Sequence, residues 1–191
     1  MNKALFLDRD GVINEDHGYT HRIEDFVFRK GIIELCKAAE DAGYLIIVIT
    51  NQAGIGRGYY TEEDFHLLTK WMIKQFYENG VIITGVEYCP YHPIHGIGKY
   101  KRENFRRKPQ PGMILDACKK YDIQAQASIM IGDSPNDIIA AKRAGVNNCC
   151  LLLKDKLDCN EYPKGTNVFD YNKLFLVKDY LTKLFNSNKN I

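Results

Sequence analysis

The chain has 191 residues, of which 45% are hydrophobic and 26% charged, a balance typical of a globular protein with one core. Its formal net charge of +2 argues against a nucleic-acid-binding surface and gives no reason to expect an anionic membrane as a partner. We find no apolar run of about 18 residues that could span a membrane and no signal-peptide pattern. The six cysteines suggest no disulfide framework, so we expect a cytoplasmic protein.

Hydrophobic periodicity predicts strands and helices that alternate along the chain. We expect strands at 4–7, 44–49, 81–88, 128–131 and 149–153. Helices are expected at 31–42, 61–80, 112–121, 135–144 and 172–185. A loop over 89–109 follows the third strand, and an irregular stretch follows the fifth. Thr61 and Asp64 resemble a capping pair at a helix start, while Gly43, Gly80 and Gly145 stand where helices should end.

This order predicts one α/β domain over 1–186, with a Rossmann-like, mostly parallel sheet and helices on both faces. The segment 187–191 is expected to be a disordered tail. No spacer is long enough for an inserted cap domain. In such folds ligands bind beyond the carboxyl ends of the strands, and polar residues stand at three predicted ends: Asp8, Thr50 and Asp133.

The strongest chemical signal is the run Asp8-Arg-Asp10-Gly11-Val-Ile after the first apolar strand. A turn there can aim both carboxylates into one site, and Gly11 lets the chain turn sharply. Asp8 can attack phosphorus and form an acyl phosphate. Asp10 can protonate the leaving oxygen and then deprotonate water. A solvated turn or a calcium loop is the alternative for an Asp-x-Asp pair alone, but the preceding strand argues against it.

Two further segments supply groups for a transferring phosphoryl group. The Thr50 hydroxyl and the backbone N–H groups from Asn51 through Gln52 to Ala53 are suitable donors for its oxygens. Arg107 and Lys108 precede a predicted helix, where Lys108 can neutralise charge and Arg107 can hold a hydroxyl or phosphate oxygen. Each segment alone is equally compatible with a turn cap or a solvated basic pair.

The run Gly132-Asp133-Ser134-Pro135-Asn136-Asp137 predicts a metal site between a strand and a helix. Asp133 can complete a Mg²⁺ site with Asp8 and a backbone carbonyl, which we assign to Asp10, because Mg²⁺ prefers oxygen ligands. Asp137, one helical turn further on, would support a metal-bound water. Helix capping alone is the simpler alternative for this run.

Together these four segments resemble the four motifs of the haloacid dehalogenase (HAD) superfamily of phosphatases, over roughly residues 3–150. The second carboxylate, Asp10, favours a phosphatase over a dehalogenase. Within the superfamily, the chain resembles the heptose-bisphosphate phosphatase family, which supplies nucleotide-activated heptose for bacterial surface polysaccharides. The segments that carry this resemblance are 8–14, 16–19, 50–58, Cys89-Pro with His92-Pro, and 107–112.

The resemblance implies a Mg²⁺-dependent phosphatase that removes the 7-phosphate of D-glycero-D-manno-heptose 1,7-bisphosphate through an aspartyl-phosphate. It implies that Asp8 is the nucleophile, Asp10 the acid and base, and Lys108 a stabiliser of the phosphoryl group. Asp133 and the backbone of Ser134 would lie at the Mg²⁺ site. The residues implied to contact the substrate are Asp16, His17, Gly18, Tyr19, Asn51, Gln52, Ala53 and Arg107, and we add Arg57, which suits a second phosphate.

The loop over 89–109 departs from the family pattern. Family members often bind a structural zinc there through four ligands, but Tyr91, Asn104 and Arg106 occupy three of those positions here. Cys89, His92 and His95 offer at most three ligands, and a structural zinc site normally has four. We therefore expect no zinc, and a loop held by its prolines and by packing.

Several readings of the function stay open. Histidinol-phosphate phosphatase, a relative within the superfamily, or another small phosphosugar phosphatase would use the same chemistry. A non-catalytic phosphosugar-binding module would be expected to lack Asp8 or Asp10, and both are present. A phosphotransferase would need a dedicated acceptor pocket. The expected partner is a small phosphorylated sugar, with no nucleic acid and no membrane, and the protein is expected to be a monomer.

Overall fold

The sheet brings the three polar strand ends to one edge. The computed structural model describes residues 1–154 and 161–187. It contains a six-stranded parallel sheet with the order β3-β2-β1-β4-β5-β6. The strands are β1 Lys3–Leu7, β2 Tyr44–Asn51, β3 Ile83–Cys89, β4 Ile129–Gly132, β5 Asn148–Leu153 and β6 Asn167–Asp170. Because β1 lies between β2 and β4, the residues that end these strands are neighbours.

Helices cover both faces of the sheet, which confirms the predicted fold class. They are α1 Ile32–Asp41, α2 Ala53–Gly56, α3 Glu62–Glu78, α4 Gly112–Lys120, α5 Pro135–Arg143 and α6 Leu174–Ser187. Residues of α1, α3 and α6 share one apolar cluster with one face of the sheet. Residues of α4 and α5 share a second cluster with the other face.

The strands read as continuous apolar runs because both of their faces are buried. In β1, Leu5 and Leu7 join the first cluster, whereas Ala4 and Phe6 join the second, and all four are fully buried. Each buried large side chain contributes about 1.5–3 kcal/mol relative to exposure. The alternation therefore anchors the strand that carries Asp8 from both sides.

The helix ends follow the predicted signals. Thr61 caps α3, and its side chain and that of Asp64 exchange the reciprocal bonds of a capping box. Gly43, Gly80 and Gly145 have positive φ values of 81°, 77° and 88°, at the positions that follow the ends of α1, α3 and α5. These three glycines turn the chain back toward the sheet.

Two short elements were missed by the sequence analysis. The irregular stretch contains β6, whose four residues alternate between partly buried and exposed and pair with β5 alone. The helix α2 spans four residues with two glycines, too few for a periodic pattern. Edge strands and single helical turns lack the apolar runs on which the prediction depends.

The remaining boundaries bear on the site only slightly. Between β1 and β2 the chain forms a loop, a short 3₁₀ turn at Ile23–Asp25 and α1, so this span holds no cap domain. Of the predicted tail 187–191, Ser187 ends α6 and the rest lies outside the described residues. In the part of the chain that the structure describes, no helix is long and apolar enough to cross a bilayer.

Candidate active site

Asp8 follows β1 directly, and the turn after it needs a glycine. The backbone N–H of Arg9 donates to Asp8 Oδ1 at 2.7 Å. Gly11 has a φ of +82°, and a Cβ at this position would lie 1.8 Å from Asp133 Oδ2. Only a residue without a side chain lets the loop after β1 approach the end of β4 so closely.

Lys108 reaches into the centre of the site from the loop before α4. Its Nζ lies 2.9 Å from Asp8 Oδ1 and 2.6 Å from Asp137 Oδ1, and it donates to the carbonyl of Ile49 at 2.8 Å. The side chain is 3% exposed. Burial lowers the pKa of the ammonium, but Asp137 and Asp8 outweigh that effect and hold this pKa above its usual value. Lys108 therefore stays charged beside Asp8.

The end of β4 adds two more carboxylates. Asp133 follows Gly132, the last residue of β4, and Asp137 lies fully buried in the first turn of α5. The backbone N–H and the hydroxyl of Ser134 donate to Asp137 Oδ2 at 3.0 Å and 2.8 Å. The Ser134 side chain thus orients Asp137, and the two oxygens of Asp137 serve Ser134 and Lys108.

These carboxylates repel one another. Burial raises the pKa of Asp8 well above its usual range; Lys108 opposes this, while Asp137 and Asp133 add to it. Burial, and next the charge of Asp137, raise the pKa of Asp133 to about 7. One ammonium faces three carboxylates, so the cluster carries more negative charge than its own residues neutralise.

The donor set fits a magnesium ion. Among the described residues, carboxylate oxygens of Asp8, Asp133 and Asp137 lie within 4.8 Å of one another. Mg²⁺ takes oxygen ligands and is usually held by one or two carboxylates together with waters. Asp8 and Asp133 would bind the ion directly. Asp137 already pairs with Lys108 and Ser134, so it would support a metal-bound water instead. Burial, which raises the pKa values of Asp8 and Asp133, disfavours their charged forms, and a divalent cation would offset that cost.

Asp10, two residues after Asp8, lies in a network of hydrogen-bond donors. Arg9 binds it through Nε and Nη2, with N–O distances of 2.9–3.1 Å. Asn14 Nδ2 donates to Oδ1 at 3.0 Å, and Gln52 Nε2 donates to Oδ2 at 3.0 Å. The Arg9 side chain is 1% exposed and also donates to the carbonyl of Thr20 at 2.6 Å. Asp10 is therefore paired and fixed in position.

The β2 end contributes less to the surface of the site than the sequence suggests. Thr50 and Gln52 are both 1% exposed, and Gln52 Nε2 donates to Thr50 Oγ1 at 2.8 Å. Asn51 exchanges two bonds of 3.1 Å with the backbone of Lys108, one through its amide nitrogen and one through its oxygen. Thus Gln52 links Thr50 to Asp10, and Asn51 fixes the segment that carries Lys108.

A cavity of about 320 Å³ opens beside Asp10. It brings together most of the predicted substrate contacts with Gly54 and Tyr60, and its lining residues are Asp10, Asp16, Gly18, Tyr19, Asn51, Gln52, Ala53, Gly54, Arg57, Tyr60 and Arg107. Arg57 lies 5.7 Å from the ring of Tyr19, and Arg107 is held by the carbonyl of Tyr91 at 3.1 Å. The cavity thus combines two carboxylates, those of Asp10 and Asp16, with two guanidinium groups.

His17 does not line this cavity. Its Nε2 lies 3.3 Å from Glu15 Oε2, and it faces a neighbouring cavity with Arg29 and Lys154. Its neighbours Asp16 and Gly18 form a tight turn in which the backbone N–H of Gly18 donates to Asp16 Oδ1 at 2.9 Å. The turn presents Asp16, Gly18 and Tyr19 to the cavity beside Asp10 and points His17 away from it.

The loop at 89–109 is held by ion pairs and hydrogen bonds. Arg106 Nη2 lies 2.6 Å from Glu87 Oε2, and Arg106 Nη1 pairs with Asp116 on α4. Cys89 is fully buried in the core, whereas His92 Nδ1 accepts the backbone N–H of His95 at 3.1 Å. Arg106 thus occupies a position where family members often carry a zinc ligand, and its two ion pairs join the loop to β3 and α4.

Sequence reasoning missed Arg9, Asn14 and Tyr60. Arg9 and Asn14 lie inside the recognised motif, but an arginine or asparagine in a turn is normally solvent-exposed. Tyr60 Oη donates to Gln52 Oε1 at 2.5 Å, a contact that depends on how the chain returns after α2. The signal that the sequence offered was an arginine between two aspartates, and hydrophobic periodicity does not report whether such a residue is buried.

A nucleophilic carboxylate at one strand end, with a lysine and further carboxylates at its neighbours, is the arrangement of a phosphoryl-transfer hydrolase. The family model described as "Haloacid dehalogenase-like hydrolase" matches residues 99–151. The chain is 56% identical over 151 residues to D-glycero-alpha-D-manno-heptose-1,7-bisphosphate 7-phosphatase of Burkholderia mallei (strain ATCC 23344), covering 79% of this chain and 80% of that protein. It is 49% identical over 153 residues to D-glycero-beta-D-manno-heptose-1,7-bisphosphate 7-phosphatase of Vibrio cholerae (strain ATCC 39315 / El Tor Inaba N16961), covering 80% and 82%.

The structure is also similar to that of D,D-heptose 1,7-bisphosphate phosphatase from B. bronchiseptica, solved with magnesium and phosphate. The TM-score is 0.77 at 26% identity, with 95% of this chain and 98% of that chain covered. The chain therefore belongs to the heptose-bisphosphate 7-phosphatase family of HAD-like hydrolases. The predicted family and enzyme class, phosphoric monoester hydrolase, are confirmed.

Proposed function

We propose that the chain removes the 7-phosphate of D-glycero-D-manno-heptose 1,7-bisphosphate through an aspartyl-phosphate on Asp8, with Mg²⁺ as cofactor, during the biosynthesis of nucleotide-activated heptose. The observation that carries the proposal is the pairing of Asp8 with the buried Lys108 at 2.9 Å, at a strand end that also carries Asp10 two residues later, held by Gln52 at 3.0 Å. The names of the curated relatives support the substrate.

In the first half-reaction, an oxygen of Asp8 attacks phosphorus while the bond from phosphorus to the sugar oxygen breaks. Asp10 gives a proton to that leaving oxygen, which departs as a hydroxyl group. Lys108 and the Thr50 hydroxyl stabilise the phosphoryl oxygens. When bound, Mg²⁺ supplies positive charge that screens the carboxylates and the phosphoryl group from each other.

In the second half-reaction, Asp10 takes a proton from a water as the water oxygen attacks phosphorus. The bond between Asp8 and phosphorus breaks, and inorganic phosphate leaves with the Asp8 carboxylate restored. Arg9, Asn14 and Gln52 keep Asp10 in one orientation through both proton transfers. The two halves balance, because the proton that Asp10 gives to the sugar returns from water.

The cavity beside Asp10 supports a substrate with two phosphates. Arg57 and Arg107 both line it, and a guanidinium fork matches phosphate oxygens in a bidentate manner. Asp16 and Tyr19 line the same cavity and offer groups for sugar hydroxyls. We assign Arg57 and Arg107 to the remote phosphate of the sugar, and Asp16 with Gly18 and Tyr19 to its hydroxyls.

We further propose that the protein acts in the cytoplasm as a monomer. A sugar bisphosphate is a charged metabolite that a bilayer retains, which supports a cytoplasmic enzyme. Sedimentation at micromolar concentration measures the oligomeric state, and a stable dimer would contradict the second proposal.

The test is phosphate release with Mg²⁺ from both anomers of the heptose bisphosphate, from histidinol phosphate and from fructose 1,6-bisphosphate. We expect kcat/KM for one heptose anomer to exceed the values for the other two compounds by about 10²-fold or more, since the second phosphate contributes binding energy. Preference for histidinol phosphate would replace the proposed substrate. Equal weak activity on all four would leave only a general phosphatase.

A further inference from the structure

We propose that Tyr60 is a positioning residue that holds the proton donor Asp10 in line through the side-chain amide of Gln52. The inference rests on the phosphatase function proposed above, and it assigns a role to a residue in none of the four sequence motifs. Tyr60 Oη donates to Gln52 Oε1 at 2.5 Å, and Gln52 Nε2 donates to Asp10 Oδ2 at 3.0 Å.

Both the nitrogen and the oxygen of the Gln52 side-chain amide form hydrogen bonds. Its nitrogen has two N–H groups, one for Asp10 and one for Thr50 Oγ1 at 2.8 Å. Its oxygen accepts from Tyr60. The reversed amide would place an oxygen against the Asp10 carboxylate, where two acceptors repel. The Asp10 carboxylate therefore selects the orientation of the Gln52 amide, and the Tyr60 hydroxyl holds it there by donating to the oxygen on the other side.

Tyr60 is itself held rigidly. Its ring stacks on His21 with centroids 4.9 Å apart and planes 1° apart, and it packs with Ile55 and Phe65. Gly54 lies against the ring, since a Cβ there would come within 2.2 Å of Tyr60 Cε1. Burial raises the pKa of the Tyr60 hydroxyl, which keeps it protonated and able to donate. The hydroxyl therefore has one position, set by a packed ring.

The orientation of the Asp10 carboxylate depends on donors to both oxygens. Rotation about the terminal bond of an aspartate is broad when nothing holds it. Asn14 donates to Oδ1, Gln52 donates to Oδ2, and Arg9 contacts both oxygens. Without the Tyr60 hydroxyl, Gln52 loses the contact that fixes its amide, and the proton of Asp10 is less well aligned with the leaving oxygen.

Proton donation from Asp10 matters only when the leaving oxygen needs a proton. A sugar alkoxide is a poor leaving group and needs one, whereas 4-nitrophenolate leaves readily without it. The ratio of kcat/KM for an alkyl phosphate to kcat/KM for 4-nitrophenyl phosphate therefore reports alignment of Asp10 during formation of the aspartyl-phosphate. A general loss of folding or of phosphate binding lowers both values together and leaves the ratio unchanged.

The experiment measures this ratio for the wild-type protein and for Tyr60→Phe, which removes one hydroxyl and keeps the ring. We expect kcat/KM to fall about tenfold for a sugar phosphate, which is the alkyl phosphate of the pair, and less than about twofold for 4-nitrophenyl phosphate. The reason is that partial misalignment of Asp10 removes part of the rate enhancement that comes from proton donation. Tyr88→Phe is the matched control. Tyr88 also donates to a side chain, Glu62, at 2.6 Å, but lies outside the site.

Three comparisons decide the outcome. Equal losses on both esters, or no loss on either, overturn the positioning role. In Gln52→Leu the loss should match that of Tyr60→Phe or exceed it, and adding Tyr60→Phe to Gln52→Leu should cost nothing further, because both act through one amide. A wild-type protein that releases no phosphate from either ester overturns the proposed function, and the role of Tyr60 with it.

Discussion

The charged residues around Asp8 form two groups that balance their charge in different ways. We call the group of Asp8, Asp133, Asp137 and Lys108 the β4 side, and Asp10 with its partners Arg9, Asn14 and Gln52 the β2 side. On the β4 side, Asp8, Asp133 and Asp137 share the single ammonium of Lys108, and burial raises the pKa values of Asp8 and Asp133. These residues are close enough to repel each other, and Asp137 is fully buried while Asp8 and Asp133 are partly buried. The Mg²⁺ that we propose as cofactor would offset this repulsion.

On the β2 side, the protein supplies every partner itself. Asp10 is paired with the buried guanidinium of Arg9, and the neutral amides of Asn14 and Gln52 complete its hydrogen bonds. This side needs no added ion. The difference supports the roles proposed above, in which the β4 side binds the metal and the phosphoryl group and the β2 side holds Asp10 for proton transfer before substrate arrives.

The largest expected effect on kcat comes from a substitution of Asp8 itself. Asp8→Asn should lower kcat by about four orders of magnitude or more, because an amide oxygen cannot form the acyl phosphate. The fold should persist, since β1 keeps its apolar contacts. Phosphate release and thermal unfolding measure the two properties. Asp122→Asn, at an exposed carboxylate remote from the site, is the control. Retained activity within tenfold would exclude the covalent route.

The next largest effect is expected for Lys108, whose substitution changes the charge balance of the β4 side and leaves the partners of Asp10 in place. Lys108→Met should lower kcat by about 10²–10³-fold, the range seen when one donor to a transition state is removed. It should also destabilise the fold by about 3–5 kcal/mol, since Asp8 and Asp137 lose their shared partner in a buried setting. Lys120→Met, at an exposed lysine, is the matched control.

Both measurements on Lys108→Met bear on the β4 side alone. Urea unfolding gives the stability, and phosphate release gives kcat. Added Mg²⁺ should recover part of the lost stability, because a cation can screen the two carboxylates that lysine no longer separates. A variant as stable as the wild type would show that Lys108 does not hold the charge cluster together.

The third prediction uses pH. The pKa of Asp133 is about 7 in the folded chain and 3.8 in its unperturbed state, so the metal-free fold binds more protons than the unfolded chain in this window. Its stability should therefore fall as pH rises from about 4 to 7 and stay lowered above that. Mg²⁺ should reverse the loss, with a larger increase in Tm at pH 8 than at pH 5.

Calorimetric scans with and without Mg²⁺ test this, with NaCl at equal ionic strength as the control. Asp133→Asn should reduce the pH dependence of the metal-free protein and remove most of the Mg²⁺ effect, and the pH dependence that remains belongs to Asp8, whose pKa is also raised. Asp25→Asn, at an exposed carboxylate, should change neither. Equal increases in Tm at both pH values would show that the cation binds elsewhere than the β4 side.

The sequence predicted the β4 side better than the β2 side for a physical reason. Parallel strands end at one edge, so Asp8, Thr50 and Asp133 had to meet once the apolar runs were recognised. The partners of Asp10 depend instead on how side chains fold back after a turn. Arg9 is next to Asp10 in sequence, yet its burial, which decides its role, is visible only in three dimensions.

Tyr60 shows the same limit more clearly. It lies eight residues after Gln52, beyond a helical turn that periodicity could not detect. The edge strand β6 was missed for a related reason, because it pairs on one side and has no apolar run. Patterns that reflect burial of a whole element were predicted well, and contacts made by single side chains were not.

The smallest expected effect concerns the loop 89–109, which serves both sides: it carries Lys108 to the nucleophile and Arg107 to the cavity. Arg106 ties this loop to Glu87 at 2.6 Å and to Asp116. Arg106→Met should raise KM for the bisphosphate about two- to fivefold, the scale of a partly exposed ion pair. The value of kcat should change less, because Asn51 holds Lys108 independently.

This prediction distinguishes an ion-paired loop from a zinc-bound one. Metal analysis of protein purified without chelator should show no stoichiometric zinc. The KM of the wild-type protein should rise more steeply with salt than that of Arg106→Met, since salt screens the ion pairs of Arg106 in addition to the contacts between the arginines and the phosphate that both proteins share. Lys120→Met, whose ammonium also contacts Glu87 but is 60% exposed, should leave KM unchanged. One zinc per chain would contradict the role of Arg106, because a metal site would then fix the loop and the ion pairs would be secondary.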